Sequence, residues 1–355
     1  MTRPIVLGAG PAGSVAAIHL ARAGAEPILI DRDREVGDAI CGGFLSWRTV
    51  AALRDLGCDP APLGAKRVTW LRLFAGERTA QAALPEPAFG LSRHALDSAL
   101  RDLAIRAGAE LAIDRARHIA PGLIEGDWRE WRSEAIFLAT GKHDVRGEAR
   151  PRDSSDPTLG LRTRIAPSPD LRNLIGDAIE LHLFRGGYAG IVLQEGGSAN
   201  VCLAVRKSVL AEAGGSPQGL MERLASQHPH FARRMAFAQA EPVIDTIAAV
   251  PYGWIAQDAV DGIYRLGDQA AVIPSLAGEG MAIAIASGRA AATSYLSGEN
   301  APDFQRAFAD RATRPVRTAE GLWRTAETSR GAALMVLASQ AIPPLAGTAM
   351  RWSRI

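Results

Sequence analysis

Cysteine is scarce: Cys41, Cys58 and Cys202 are the only three among 355 residues, widely spaced and odd in number. Such a set supports neither a disulfide framework nor a CxxC metal or redox pair. No metal site is expected, and reduced thiols suit a cytoplasmic protein. An excess of one charge is also lacking. Forty basic residues nearly cancel 38 acidic ones, leaving a net charge of +2. No basic block stands out, so no nucleic-acid partner is expected. The opening MTRPIVLGAG has neither the apolar core nor the cleavage region of a secretory signal. The apolar stretch ALMVLASQAIPPLAGTAM is interrupted by Gln340 and Pro343-Pro344. It reads poorly as a membrane span and better as a packed terminal helix, with peripheral membrane attachment as the alternative.

What is present suits an enzyme of two interleaved domains: 47% hydrophobic and 22% charged residues on a chain too long for one simple domain. Ile5–Leu7 reads as a buried strand, residues 14–23 as a helix ended by Gly24, and Ile28–Asp31 as a second strand, together a βαβ unit. Further helices are expected over Trp47–Leu56 and after a Ser92 cap, with Leu96, Leu100 and Leu103 on one face. Buried strands are expected at residues 134–141 and 263–266. Residues 145–172, rich in Arg, Pro, Asp and Ser, read as a crossing segment. Ile179–Leu183 alternates like a half-buried strand, and residues 191–193 and 201–205 flank a turn like a hairpin. The expected organisation is discontinuous. Residues 1–65, 90–145 and 245–300 form a dinucleotide domain, 66–89 and 146–244 an inserted substrate domain, and 301–355 a helical close.

Gly8-Ala-Gly10-Pro11-Ala12-Gly13 sits between strand and helix, the context that gives a GxGxxG its meaning. The first glycine permits the turn, the second lets backbone approach a diphosphate, and the third lets helix and strand lie close. The helix N-terminus favours the anion. Asp31 ends the next strand and suits two free ribose hydroxyls, so the site favours FAD or NAD over NADP, although Arg32 stands beside it.

Gly267-Asp268, Pro274 and Gly278-Glu279-Gly280-Met281 open a second helix. The stretch GDQAAVIPSLAGEGMAIAIASGRAAA resembles the second flavin fingerprint of the geranylgeranyl reductase branch of FAD-dependent oxidoreductases. That branch lies within the larger p-hydroxybenzoate hydroxylase-like group. The CGGFL stretch from Cys41 and the GGYAG stretch around Tyr188 share the resemblance. It implies a Rossmann-like α/β FAD-binding domain of glutathione reductase type, an inserted antiparallel-sheet substrate domain and C-terminal helices. It further implies that Asp268 bonds the ribityl chain and that residues 278–281 offer backbone N–H groups to the pyrimidine edge. Arg93 and Gly141 would border the cofactor, and Cys41, Gly42 and Gly43 would lie near the ring. Cys41 or Tyr188 would supply a proton; packing roles are the alternative for both. His143, in Lys142-His143-Asp144, reads as a loop residue rather than a base.

The implied function is reduction of carbon–carbon double bonds in an isoprenoid-like or long-chain substrate, with NADPH or NADH as electron donor. The alternative is a flavin monooxygenase acting on an aromatic or polyketide-derived ring. Trp47, Trp70, Phe74 and Trp254 are candidates for an apolar pocket or for the core. No sequence pattern discloses the substrate or the oligomeric state.

Overall fold

The structure, a computed structural model, describes residues 2–151, 154–341, 343–352 and 354. Strand β1 (Ile5–Leu7), helix α1 (Pro11–Arg22) and strand β2 (Ile28–Asp31) form the expected βαβ unit. Then follow β3 (Phe44–Leu45), α2 (Trp47–Leu56), β4 (Lys66–Ala75), β5 (Arg78–Gly90), α3 (Arg93–Arg106) and β6 (Glu110–Ile113). A small antiparallel sheet of β7 (Ala116–Ala120), β8 (Leu123–Gly126) and β9 (Glu130–Arg132) precedes β10 (Ile136–Leu138). The middle of the chain holds β11 (Thr158–Ile165), α4 (Pro169–Ile175), β12 (Ala178–Phe184), β13 (Gly187–Leu193), β14 (Ala199–Arg206), α5 (Lys207–Glu212), α6 (Pro217–Gln227), α7 (Pro229–Met235) and β15 (Asp245–Val250). It closes with β16 (Ile263–Arg265), α8 (Gly280–Leu296), α9 (Ala301–Ala326), α10 (Ser329–Ala341) and α11 (Pro343–Trp352). Among the described residues, no helix is long and apolar enough to cross a membrane.

The first sheet, ordered β16-β10-β1-β2-β6, is parallel throughout. Its central strands β1 and β10 are short apolar runs buried on both faces, as helix-covered parallel strands must be, whereas β6 at the edge is not buried. α1 lies against α8 so closely that a Cβ on Gly288 would stand 2.4 Å from the Ala12 carbonyl oxygen. The second sheet is ordered β15-β11-β14-β13-β12-β4-β5-β3 and is antiparallel except where β12 runs parallel to β4.

Three expectations need correction. Residues 145–172 are not merely a crossing: they contain β11 and the start of α4. The strand was disguised because Arg162 within it is buried, paired with Asp38 and Asp245. Asp245–Val250 pairs with β11, so this segment belongs with the second sheet and not with the parallel one.

β12 is also not half-buried. Its polar members Glu180 and His182 are enclosed, with Arg234 of α7 gripping Glu180 through two bonds of 2.8 and 2.7 Å and Arg72 adding a third at 3.2 Å. Burial pushes the Glu180 carboxyl up, but the bonds from His182 and Arg234 outweigh it and hold it at about 2. A depressed carboxylate stabilises the fold above the unfolded-state value of about 4.3, and that contribution is lost as pH falls toward 2. Glu180→Ala leaves Arg234 buried and uncompensated, so urea unfolding should show a loss of about 3–5 kcal/mol. A loss below about 1 kcal/mol would refute this account of the cluster.

Candidate functional site

The turn after β1 is shaped by what its glycines face. A Cβ on Gly13 would lie 1.9 Å from the Gly8 carbonyl oxygen, so only glycine lets α1 pass that close to the turn. Gly10 differs: the nearest group to its missing Cβ is the tip of Arg93, 3.4 Å away. The backbone there borders open space. α2, α3, α6 and α9 are each capped by a side chain, from Ser46, Ser92, Ser216 and Asn300. α1 and α8 have no side-chain cap, and the N-terminal turns of both open onto one cavity. An uncapped helix N-terminus holds unsatisfied N–H groups and a positive end, the features that bind anions.

The cavity has a volume of about 900 Å³, at the upper end of the ~300–1,000 Å³ usual for small-molecule sites. Gly8, Gly10, Pro11 and Ala12 line it, as do Asp31 and Arg32. Asp31 Oδ2 accepts from the Ala9 N–H at 2.7 Å, which ties the end of β2 to the glycine turn. Arg93, at the first position of α3, is fixed by two 2.7 Å bonds to Asp97. Burial would lower its pKa, but the Asp97 carboxylate raises it, so it stays cationic. Gly141 and Asp268 border the middle. Lys142 Nζ lies 4.0 Å from the Asp268 carboxylate and donates to the Ile40 carbonyl at 2.9 Å. Gly278, Gly280 and Met281 line the far side, and a Cβ on Gly280 would meet nothing within 4 Å. A single cavity therefore joins both glycine turns.

Beyond the second turn the walls become apolar. Leu71, Leu84, Ile179 and Leu181 come from the second sheet, with Leu276 opposite. Gly160 of β11 and Gly190, at the centre of β13, also line it; a strand-interior glycine commonly marks the close approach of a ligand or of another part of the chain. Cys41 Sγ lies 3.5 Å from the Gly43 N–H, and Asn200 Nδ2 donates to the carbonyls of Cys41 and Gly42 at 3.0 Å each. The Tyr188 hydroxyl donates to Ser275 Oγ at 2.8 Å, and Tyr252 shares a short hydrogen bond with the same oxygen. Burial raises the phenols of Tyr188 and Tyr252 well above their ordinary value, so both stay protonated at neutral pH. Burial likewise pushes the Cys202 thiol up to about 12.

The expected residues do not all face this space. Glu279 does not line the cavity: its side chain is wholly buried and ion-paired with Arg354. Gly13 serves packing and does not line the wall. None of Trp47, Trp70, Phe74 and Trp254 lines the cavity. Trp47 lies under Arg354, Trp70 is exposed, Phe74 stacks on His182 across the sheet, and Trp254 lies near Arg150. His143 is exposed in the loop after Gly141 and, unlike these, borders the cavity. Sequence reasoning missed Tyr252, Ser275, Asn200 and Cys202. Only Ser275 had a signal, its place inside the second glycine stretch.

This arrangement, a parallel-sheet dinucleotide turn facing a second uncapped helix across an elongated cavity, defines a FAD-dependent oxidoreductase. Residues 1–111 match the family described as FAD binding domain, and the likeness to geranylgeranyl reductases read from the second glycine stretch extends over most of the chain. Digeranylgeranylglycerophospholipid reductase 2 of Methanopyrus kandleri is 27% identical over 86% of this chain and 81% of its own. Menaquinone reductase of Mycolicibacterium smegmatis is 27% identical, covering 83% and 76%. The flavin-dependent brominase Bmp2 superposes with a TM-score of 0.76 at 16% identity, covering 99% of this chain and 92% of its own. That likeness concerns the fold alone, which hosts more than one chemistry.

Proposed function

We propose that the protein saturates carbon–carbon double bonds in an isoprenoid-like or long-chain apolar compound, acting from the cytoplasm with NADPH or NADH as electron donor. The observation that carries this reading is the continuity of the cavity: a polar, glycine-shaped half runs into an apolar half where protonated Tyr188 stands. Relatives named as reductases of a digeranylgeranyl lipid and of menaquinone support a long apolar substrate.

FAD, when bound, supplies the two electrons. Gly10, Pro11 and Ala12 at the start of α1 take the diphosphate, and Asp31 accepts from the ribose hydroxyls, with Arg32 and Arg93 alongside. Asp268 and Gly141 border the ribityl chain. The N-terminal turn of α8, through Gly278, Glu279 (by its backbone), Gly280 and Met281, faces the pyrimidine edge, where its positive end favours negative charge. Cys41, Gly42 and Gly43 stand beside the ring. The leucine and isoleucine walls exclude water from the substrate, and Tyr188 holds the proton to be delivered, with Ser275 and Tyr252 behind it.

The test is anaerobic. FAD-loaded protein is reduced with NADPH or NADH, oxygen is excluded, and a geranylgeranyl-bearing lipid is added. Reoxidation of the flavin with a gain of two hydrogens per double bond is the expected result. Turnover that requires oxygen and inserts an oxygen atom into the product would reverse it in favour of a monooxygenase.

A further inference from the structure

Helix α11 reaches the apolar end of the cavity through Met350, and α10 packs on the second sheet beside it; the two faces of α10 differ. Inward, Ala332 and Val336 are buried against Leu73, Leu183 and Trp323. Met350 lines the cavity beside Leu84 and Ile179. Outward, Leu334 is 62% exposed, Leu337 47% and Trp352 56%. On α10 the exposed positions Arg330, Leu334, Leu337 and Ala341 recur at helical spacing. The charges on α10 and α11 themselves have one sign. After Glu327 the chain contains no aspartate or glutamate, and its charged residues are Arg330, Arg351 and Arg354. Arg330 and Arg351 are exposed, Arg354 is held on Glu279, and Arg314 of α9 lies over the Trp352 ring at 5.0 Å.

A soluble surface ordinarily intersperses both signs and keeps large apolar side chains apart. Here leucines, a tryptophan and arginines are exposed on two consecutive helices that carry no acidic residue. We infer that the outer face of α10 and α11 docks onto an anionic phospholipid bilayer. Leu334 and Leu337 enter the acyl boundary, Trp352 sits at headgroup depth, and Arg330 and Arg351 meet the lipid phosphates. The membrane would then lie next to the end of the cavity that Met350 of α11 lines. A substrate dissolved in the bilayer would reach the site under α11 without crossing water. Docking follows from the surface alone and does not depend on which reaction the cavity performs.

The test uses the full-length, FAD-loaded chain and sedimentation with vesicles of phosphatidylcholine alone or mixed with phosphatidylglycerol. Binding is expected to the anionic vesicles and to weaken with salt. Leu334→Ser with Leu337→Ser should reduce the partition coefficient by roughly tenfold or more, and Arg330→Gln or Arg351→Gln by about fivefold each. Because these side chains are exposed, the flavin spectrum and melting temperature should not change. No association with anionic vesicles would overturn the proposal, as would equal binding to neutral ones or an unaffected double-serine variant. So would a concentration-dependent dimer that the double-serine variant dissolves, since the face would then belong to a second copy. A chain that binds vesicles but reduces no double bond would overturn the proposed reaction and leave the docking surface standing.

Discussion

Gly10→Val is expected to leave the fold intact and remove the cofactor. The only neighbour of its missing Cβ is the flexible end of Arg93 at 3.4 Å, so the added side chain enters the cavity instead of the core. It would occupy the approach of the diphosphate to the N-terminal turn of α1. Charge-assisted hydrogen bonds contribute about 1.5–3 kcal/mol each, and losing two of them weakens binding by roughly a hundredfold or more. Fluorescence titration of the apoprotein with FAD reads this directly, and the melt of the apoprotein should match the parent.

Gly13→Val is the contrasting control. Its Cβ would stand 1.9 Å from the Gly8 carbonyl oxygen, so α1 must lift from the turn and the apoprotein itself should melt lower. The account of the cradle fails if Gly10→Val retains parental FAD affinity, or if the two variants lose stability alike.

How much of this was legible depended on the distance over which the information is stored. The βαβ unit, the Ser92 cap and both glycine turns are local patterns, and the structure places each where the sequence puts it, the helix of the unit beginning three residues earlier, at Pro11. Strands β11 and β12 misled because their polar residues look solvent-facing. Arg162 and Glu180 are instead buried through partners as far away as Asp38 and Arg234, and a single strand cannot reveal a partner from another part of the chain. α9 runs its 26 residues through Pro315, a residue that ordinarily ends a helix. The Tyr188–Ser275–Tyr252 cluster joins three segments, with Ser275 lying 87 residues from Tyr188 and 23 from Tyr252. The exposed face of α10 was hidden for another reason. Its inward and outward apolar residues give an almost uniformly hydrophobic stretch, and only packing separates them.

Tyr188→Phe is the second change with a large expected effect. The phenol is buried at the apolar end and its pKa is raised by that burial above the ordinary value of about 10. Raising an acid's pKa keeps its proton in place over a wider range, so a Tyr188 donor predicts a rate flat from neutral pH past 9. Ser275 Oγ lies 2.8 Å from the Tyr188 hydroxyl and also meets Tyr252. A proton given to the substrate can therefore be replaced through Ser275 without admitting water. Losing a positioned general acid costs about 10²–10⁴-fold, and kcat under anaerobic single turnover should fall by that much while FAD binding is unchanged. Tyr252→Phe should fall less, because it removes the resupply and not the donor. Cys41 is the rival. If Cys41→Ala abolishes turnover and Tyr188→Phe stays within a few-fold of the parent, the thiol is the acid and the phenol packs the wall. A solvent isotope effect that persists in Cys41→Ala and disappears in Tyr188→Phe would assign the proton to the tyrosine.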